Sequence, residues 1–119
     1  MKKNILIFDD DTEILSILSY VFEEKGWAIH TRNDCENVVE IVKGIKPDVI
    51  LMDNRIPKTG GVAATQILKQ DQFTRHIPVV FFTANNDVED LANKAGADTF
   101  IAKPFNLDDL ERTISQYLN

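Results

Sequence analysis

The sequence predicts an α/β domain in which a five-stranded parallel sheet is doubly wound by helices, a (βα)5 arrangement with strand order 2-1-3-4-5. Three observations predict it. Short apolar runs alternate five times with stretches whose apolar residues recur at helical spacing. The connections between them are short, so right-handed crossovers make the strands parallel and put helices on both faces of the sheet. Finally, the run Asp48-Val49-Ile50-Leu51-Met52, closed by Asp53, is apolar without alternation, as expected of a strand covered on both faces.

Each element has its own signal. Asn4-Ile5-Leu6-Ile7-Phe8 reads as a central strand that stops abruptly at Asp9-Asp10-Asp11. Asp11 or Thr12 caps the following helix, in which Ile14, Leu18, Val21 and Phe22 share one face, and Gly26 stops it. Residues 27–31 read as the second strand and 34–43 as the second helix, with Val38, Ile41 and Val42 inward and Gly44 as its end. The third strand closes at Asp53. Gly60-Gly61 then break the chain before a helix over 62–69. Pro78-Val79-Val80-Phe81-Phe82 is the fourth strand, ending at Thr83, and a helix opened by Asp87 carries Val88, Leu91 and Ala92 up to Ala95-Gly96. Thr99-Phe100-Ile101-Ala102 is the fifth strand, ending at Lys103-Pro104. Asp108 and Asp109 suit the first turn of the last helix, whose buried stripe is Leu110, Ile114 and Leu118.

The bulk composition narrows the function. At 119 residues the chain is the size of one domain, taken here as 1–119. Its net charge is -6, and its basic residues are scattered singly apart from Lys2-Lys3, which argues against direct nucleic-acid binding. No apolar run is long enough to insert in a membrane, and the apolar stretch after Lys3 ends too soon for a signal peptide. Cys35 is the only cysteine, which is compatible with the reducing cytoplasm and reads as a passive side chain. His30 stands alone and reads as a bystander.

In a sheet of order 2-1-3-4-5 the first and third strands are neighbours at the switch point, where ligands bind outside the carboxyl ends of strands. Asp9, Asp10 and Asp53 therefore converge. Three carboxylates that close cannot all stay ionised unless a cation joins them or protons neutralise some. With no His or Cys at these strand ends, an all-oxygen set suits Mg²⁺ rather than zinc. Acids scattered on turns would not explain why a hydroxyl, Thr83, and an ammonium, Lys103, close two other strands on the same rim.

The runs Ile5-Leu6-Ile7-Phe8-Asp9-Asp10-Asp11, Asp48 to Asp53 with Ile56-Pro57 and Gly61, Phe82-Thr83-Ala84, and Phe100-Ile101-Ala102-Lys103-Pro104-Phe105 together resemble the receiver domain of two-component response regulators. The resemblance covers essentially the whole chain, which is similar in layout to single-domain, chemotaxis-type regulators, with a flavodoxin-like fold. It implies phosphoryl transfer to Asp53 from a sensor histidine kinase or a histidine phosphotransfer protein, a conformational shift, and self-catalysed hydrolysis. It implies that Asp10, Asp53 and the backbone carbonyl of Arg55 hold Mg²⁺, with Asp9 acting mainly through a metal-bound water. Lys103 and the Thr83 hydroxyl would then meet the phosphoryl oxygens, where charge has to be neutralised. Arg55 and Asn85 resemble the family's tuners of phosphoryl lifetime, Thr83 and Phe100 its switch pair, and the Lys103-Pro104 peptide is expected to be cis. The face of the fourth helix, fifth strand and fifth helix is expected to meet the downstream protein.

Departures are few: Gly60 stands where the family often has an acid and Thr59 where it often has methionine. A haloacid-dehalogenase-type phosphatase also uses an aspartate nucleophile, but its motif needs Thr or Val where this chain has Glu13. Dinucleotide-binding and flavodoxin-type sites lack their phosphate loop after the first strand here. A phosphorylation-independent interaction module on the same fold is the remaining alternative, disfavoured by retention of all five site residues. The chain stops directly after the fifth helix, which leaves either a stand-alone regulator or a segment of a longer protein.

Overall fold

The computed structural model describes residues 3–84, 86–103 and 106–118. Strands β1 (Asn4–Phe8), β2 (Ala28–Arg32), β3 (Val49–Asp53), β4 (Val79–Thr83) and β5 (Thr99–Ala102) alternate with helices α1 (Thr12–Glu24), α2 (Val38–Ile45), α3 (Gly61–Gln70), α4 (Val88–Ala95) and α5 (Leu107–Ser115). The strands form one sheet in the order β2-β1-β3-β4-β5, and every adjacent pair is parallel. This is the doubly wound order expected from the sequence.

Two apolar layers hold it. Because side chains alternate across a strand, Ile5 and Ile7 of β1 share a cluster with Leu15, Leu18 and Phe22 of α1 and Leu110 and Ile114 of α5. Leu6 and Phe8 point the other way, into a cluster with Val38 and Val42 of α2, Ala64 and Leu68 of α3, and Val88 and Ala92 of α4. All five residues of β3 and of β4 are buried, which is why their sequences carry no polar alternation. Among the described residues no helix is long and apolar enough to cross a membrane.

The caps mostly follow the sequence. Asp11 accepts the N–H groups of Glu13 (3.0 Å) and Ile14 (3.4 Å) at the start of α1. Asn106 accepts Asp109 N–H at 2.7 Å at the start of α5, and Gly96 closes α4 at φ 80°. Asp87 occupies the first flanking position of α4 without a side-chain cap bond.

The second helix departs from expectation at both ends. Asp34 holds a turn by accepting Glu36 N–H at 3.0 Å, and Asn37 adopts the left-handed conformation at φ 56°, so α2 starts only at Val38. Gly44 lies inside the helix. An isolated helical glycine costs only about 1 kcal/mol, whereas Pro47 disfavours a right-handed helical residue before it. Lys46, at φ 55° with its N–H on the Val42 carbonyl at 2.8 Å, is therefore where α2 ends.

Candidate functional site

The register of the sheet brings the predicted residues to one rim. Phe8 pairs with Met52, Asp53 with Phe82, and Thr83 with Ala102, so Asp9, Asp53, Thr83 and Lys103 all lie at the carboxyl ends of neighbouring strands. The backbone ladder runs on past the strands: Asp9 N–H donates to the Arg32 carbonyl at 3.1 Å and Lys103 N–H to the Thr83 carbonyl at 2.9 Å. A cavity of about 220 Å³ opens there, lined by Asp9, Asp10, Asp11, Ile14, Asp53, Arg55, Thr83, Ala84 and Lys103.

Asp9, Asp10 and Asp53 each offer a carboxylate oxygen within 4.8 Å of the others. Asp9 and Asp53 are buried and Asp10 is exposed, so the group has one wet edge. The Lys103 ammonium donates to Asp9 Oδ2 at 2.8 Å and lies 3.5 Å from Asp53 Oδ1. The other Asp9 oxygen accepts Asp11 N–H at 2.9 Å. Burial pushes the Asp53 carboxyl up to about 6, with the charges of Asp9 and Asp10 adding to the rise and Lys103 opposing it. Among the described residues only Lys103 is ion-paired with these acids, which leaves the site short of positive charge. The donor set, hard oxygens with no nitrogen or sulfur among them, therefore fits a small divalent cation.

Two supports were not anticipated from the sequence. Lys103 Nζ rests 4.6 Å from the centre of the Phe82 ring, a favourable cation–π contact. The signal was available: Phe82 pairs with Ile101, and Lys103, two residues on, shares that face. The second support is Gly61. Its N–H donates to the Asn54 carbonyl at 3.0 Å, and a Cβ built there would fall on the Asp53 carbonyl oxygen and lie 2.8 Å from Asn54 Cα. Only glycine lets α3 start this close to the backbone of Asp53.

The remaining residues distribute as follows. Arg55 is exposed at the cavity lip, and Thr83 is buried at its floor. Phe100, on β5, is 38% exposed and so is not a core residue in this structure. Asn85 and the Lys103-Pro104 peptide, on which lifetime tuning and a cis bond were expected, lie outside the described residues. His30 is half-buried on β2 and does not line the cavity. Burial, with Asp34 beside it, pushes the Cys35 thiol up to about 12, so it stays protonated, as a passive side chain should.

The family model described as the response regulator receiver domain matches residues 5–115. The polar-differentiation response regulator DivK of Brucella anthropi is 32% identical over 121 residues, covering 99% of this chain and 98% of DivK. The phosphate regulon transcriptional regulatory protein PhoB of Klebsiella pneumoniae is 33% identical over 112 residues, covering 92% of this chain but 49% of PhoB, so the chain spans about half the length of that relative. Among solved structures, the receiver domain of the sensor histidine kinase PA1611 from Pseudomonas aeruginosa, which holds a magnesium ion in its active-site cleft, has the same fold. It superposes with a TM-score of 0.90 at 24% identity over 99% of this chain and 98% of that one.

Proposed function

Since the chain belongs to the response regulator receiver domain family of two-component signalling, we propose that Asp53 accepts a phosphoryl group from the phosphohistidine of a sensor histidine kinase or histidine phosphotransfer protein. The observation that carries this is the position of Asp53: a buried carboxylate at a strand end, 3.5 Å from an ammonium and within 4.8 Å of two more acids. An Asp53 carboxylate oxygen attacks phosphorus, the P–N bond breaks, and its electron pair leaves with the imidazole. The attacking group needs no general base, because with a value of about 6 it is mostly ionised at neutral pH.

The surrounding residues prepare that attack. Gly61 keeps the Asp53 backbone in place, and Lys103, held between Asp9 and Asp53, is positioned to move its charge onto the incoming phosphoryl oxygens. The Thr83 hydroxyl, on the cavity floor, would donate to one of those oxygens. Magnesium, when bound by Asp10, Asp53 and the Arg55 carbonyl with Asp9 supporting, supplies positive charge that lets a dianionic donor approach the acids. Arg55 at the lip, and Asn85, are assigned the tuning of water access and hence of phosphoryl lifetime. The protein would thus act as a phosphoacceptor in the cytoplasm, catalysing its own labelling and hydrolysis, with no nucleic acid bound directly. Movement of Thr83 with Phe100 would carry the change to a downstream protein on the face of α4, β5 and α5.

Incubation with a small phosphodonor and Mg²⁺, read by intact mass, tests this. One acid-labile phosphoryl group is expected, lost in Asp53→Asn and in chelator. Full labelling of Asp53→Asn would overturn the assignment, and absence of labelling under all conditions would favour a phosphorylation-independent interaction module.

A further inference from the structure

At the opposite end of the sheet, where strands begin, a second hollow of about 410 Å³ lies between the end of α2 and the loop leading into β4. Its floor is apolar: Val42, Pro47 and Ile77 are buried. Its wall is Phe73, which is 58% exposed, with Lys43 Nζ held 4.8 Å from the ring centre. Lys46 and His76, both exposed, complete the rim. Among the described residues no Asp or Glu lines it, although the chain as a whole has 19 acids against 13 bases. The acid of this loop, Asp71, is half-buried and engaged by Phe73 N–H (2.9 Å) and the Thr74 hydroxyl (3.4 Å), and Asp48 takes Asn4 N–H at 2.7 Å. An acidic protein therefore presents here a locally basic, aromatic-walled hollow.

We propose that this hollow docks a short acidic segment of a partner protein, with one aromatic or large aliphatic side chain seated against Phe73 and flanking carboxylates on Lys43 and Lys46. The sign inversion selects an anionic occupant. A small molecule would need most of its surface enclosed, and a wall that is itself more than half exposed does not provide that, whereas a protein covers the wall as it binds. Aromatic side chains set against an apolar centre are the usual anchors of such contacts, and the lysines supply charge complementary to the acids. An anionic membrane would require a larger basic cluster than these lysines form. β3 spans on the order of 17 Å at about 3.3 Å per residue, so a partner bound here leaves the Asp53 cavity open. The inference does not depend on phosphorylation.

The test is a titration of the labelled full chain, followed by amide resonances, with the peptide acetyl-Asp-Glu-Asp-Phe-Glu-Asp-amide. The expected result is saturable shifts at Val42, Lys43, Lys46, Phe73 and Ile77, weakened by salt. Replacing the peptide's Phe by Ala, or introducing Phe73→Ala or Lys43→Glu in the protein, should weaken binding by about tenfold or more. Both variant sites are exposed, and unaltered spectra elsewhere confirm their folding. Absence of shifts, or equal shifts from a peptide with Lys in place of the acids, overturns the proposal. So does broadening of these resonances that grows with protein concentration alone, which would assign the hollow to a second copy of the chain.

Discussion

Replacing Asp53, the proposed phosphoacceptor, should make the metal-free protein more stable. Asp53 titrates at about 6 instead of its ordinary 3.8 because it is buried among Asp9 and Asp10. At about 1.4 kcal/mol per pH unit, that displacement corresponds to about 3 kcal/mol. The sign follows from proton linkage. The folded state binds the Asp53 proton more tightly than the unfolded chain does, so below about pH 4 the carboxyl costs the fold nothing. As pH rises to about 6 the unfolded chain ionises first, and folding stability falls progressively. Above that window the full cost of the buried charge is present. Asp53→Asn removes the charge while its amide oxygen still faces Lys103, so it should be up to about 3 kcal/mol more stable than wild type at pH 7.5, with the gap closing toward pH 4. Urea unfolding in chelator, followed through the single tryptophan, Trp27, which stacks on Phe22 at 5.2 Å, reads this directly. With a slope of about 1–3 kcal/mol per molar urea, the midpoint should move upward by up to about 1–3 M. Magnesium should close most of the gap: at about a hundredfold over its Kd it adds about 2.7 kcal/mol to the wild type and much less to the variant. A variant no more stable than wild type at pH 7.5, or a gap that persists unchanged at pH 4, would refute the account of the site's charge.

Lys103→Met takes away the cation that opposes the rise at Asp53 and leaves Asp9 buried without its ion pair. It should cost about 3 kcal/mol or more at neutral pH and move the Asp53 carboxyl titration above 6, followed by carboxyl carbon resonances, and an unmoved titration would count against the pairing. Gly61→Ala forces a methyl onto the Asp53 backbone, so about 1–3 kcal/mol of stability should be lost and phosphoryl incorporation slowed. Wild-type rates in that variant would show that the close approach positions nothing. Beryllofluoride, as a mimic of the phosphoryl group, should perturb amides on α4, β5 and α5 as well as around the cavity, and Phe100→Ala should uncouple the two. Perturbation confined to the loops around Asp9, Asp53, Thr83 and Lys103 would route the signal elsewhere.

What could be read from the chain alone was whatever depends on local periodicity. The unbroken apolar runs 49–52 and 79–82 determined buried parallel strands, since a strand covered on both faces has no polar alternation to show. Five such alternations restricted the sheet to a doubly wound order, and that order alone was enough to bring Asp9, Asp10 and Asp53 together. The limits of α2 were less legible, because an αL residue at Asn37 and the demand of Pro47 outweighed the helix signals at Asp34 and Gly44. Tertiary structure decided the rest. Which of the clustered acids Lys103 pairs with depends on side-chain reach across strands 94 residues apart in sequence, and the ammonium settled on Asp9, over the Phe82 ring. The displaced titration of Asp53 exists only because folding removes it from water beside like charges. The need for glycine at position 61 arises from an approach between α3 and the end of β3 that no pattern of residue types encodes, because the clash is with backbone and every residue has the same backbone.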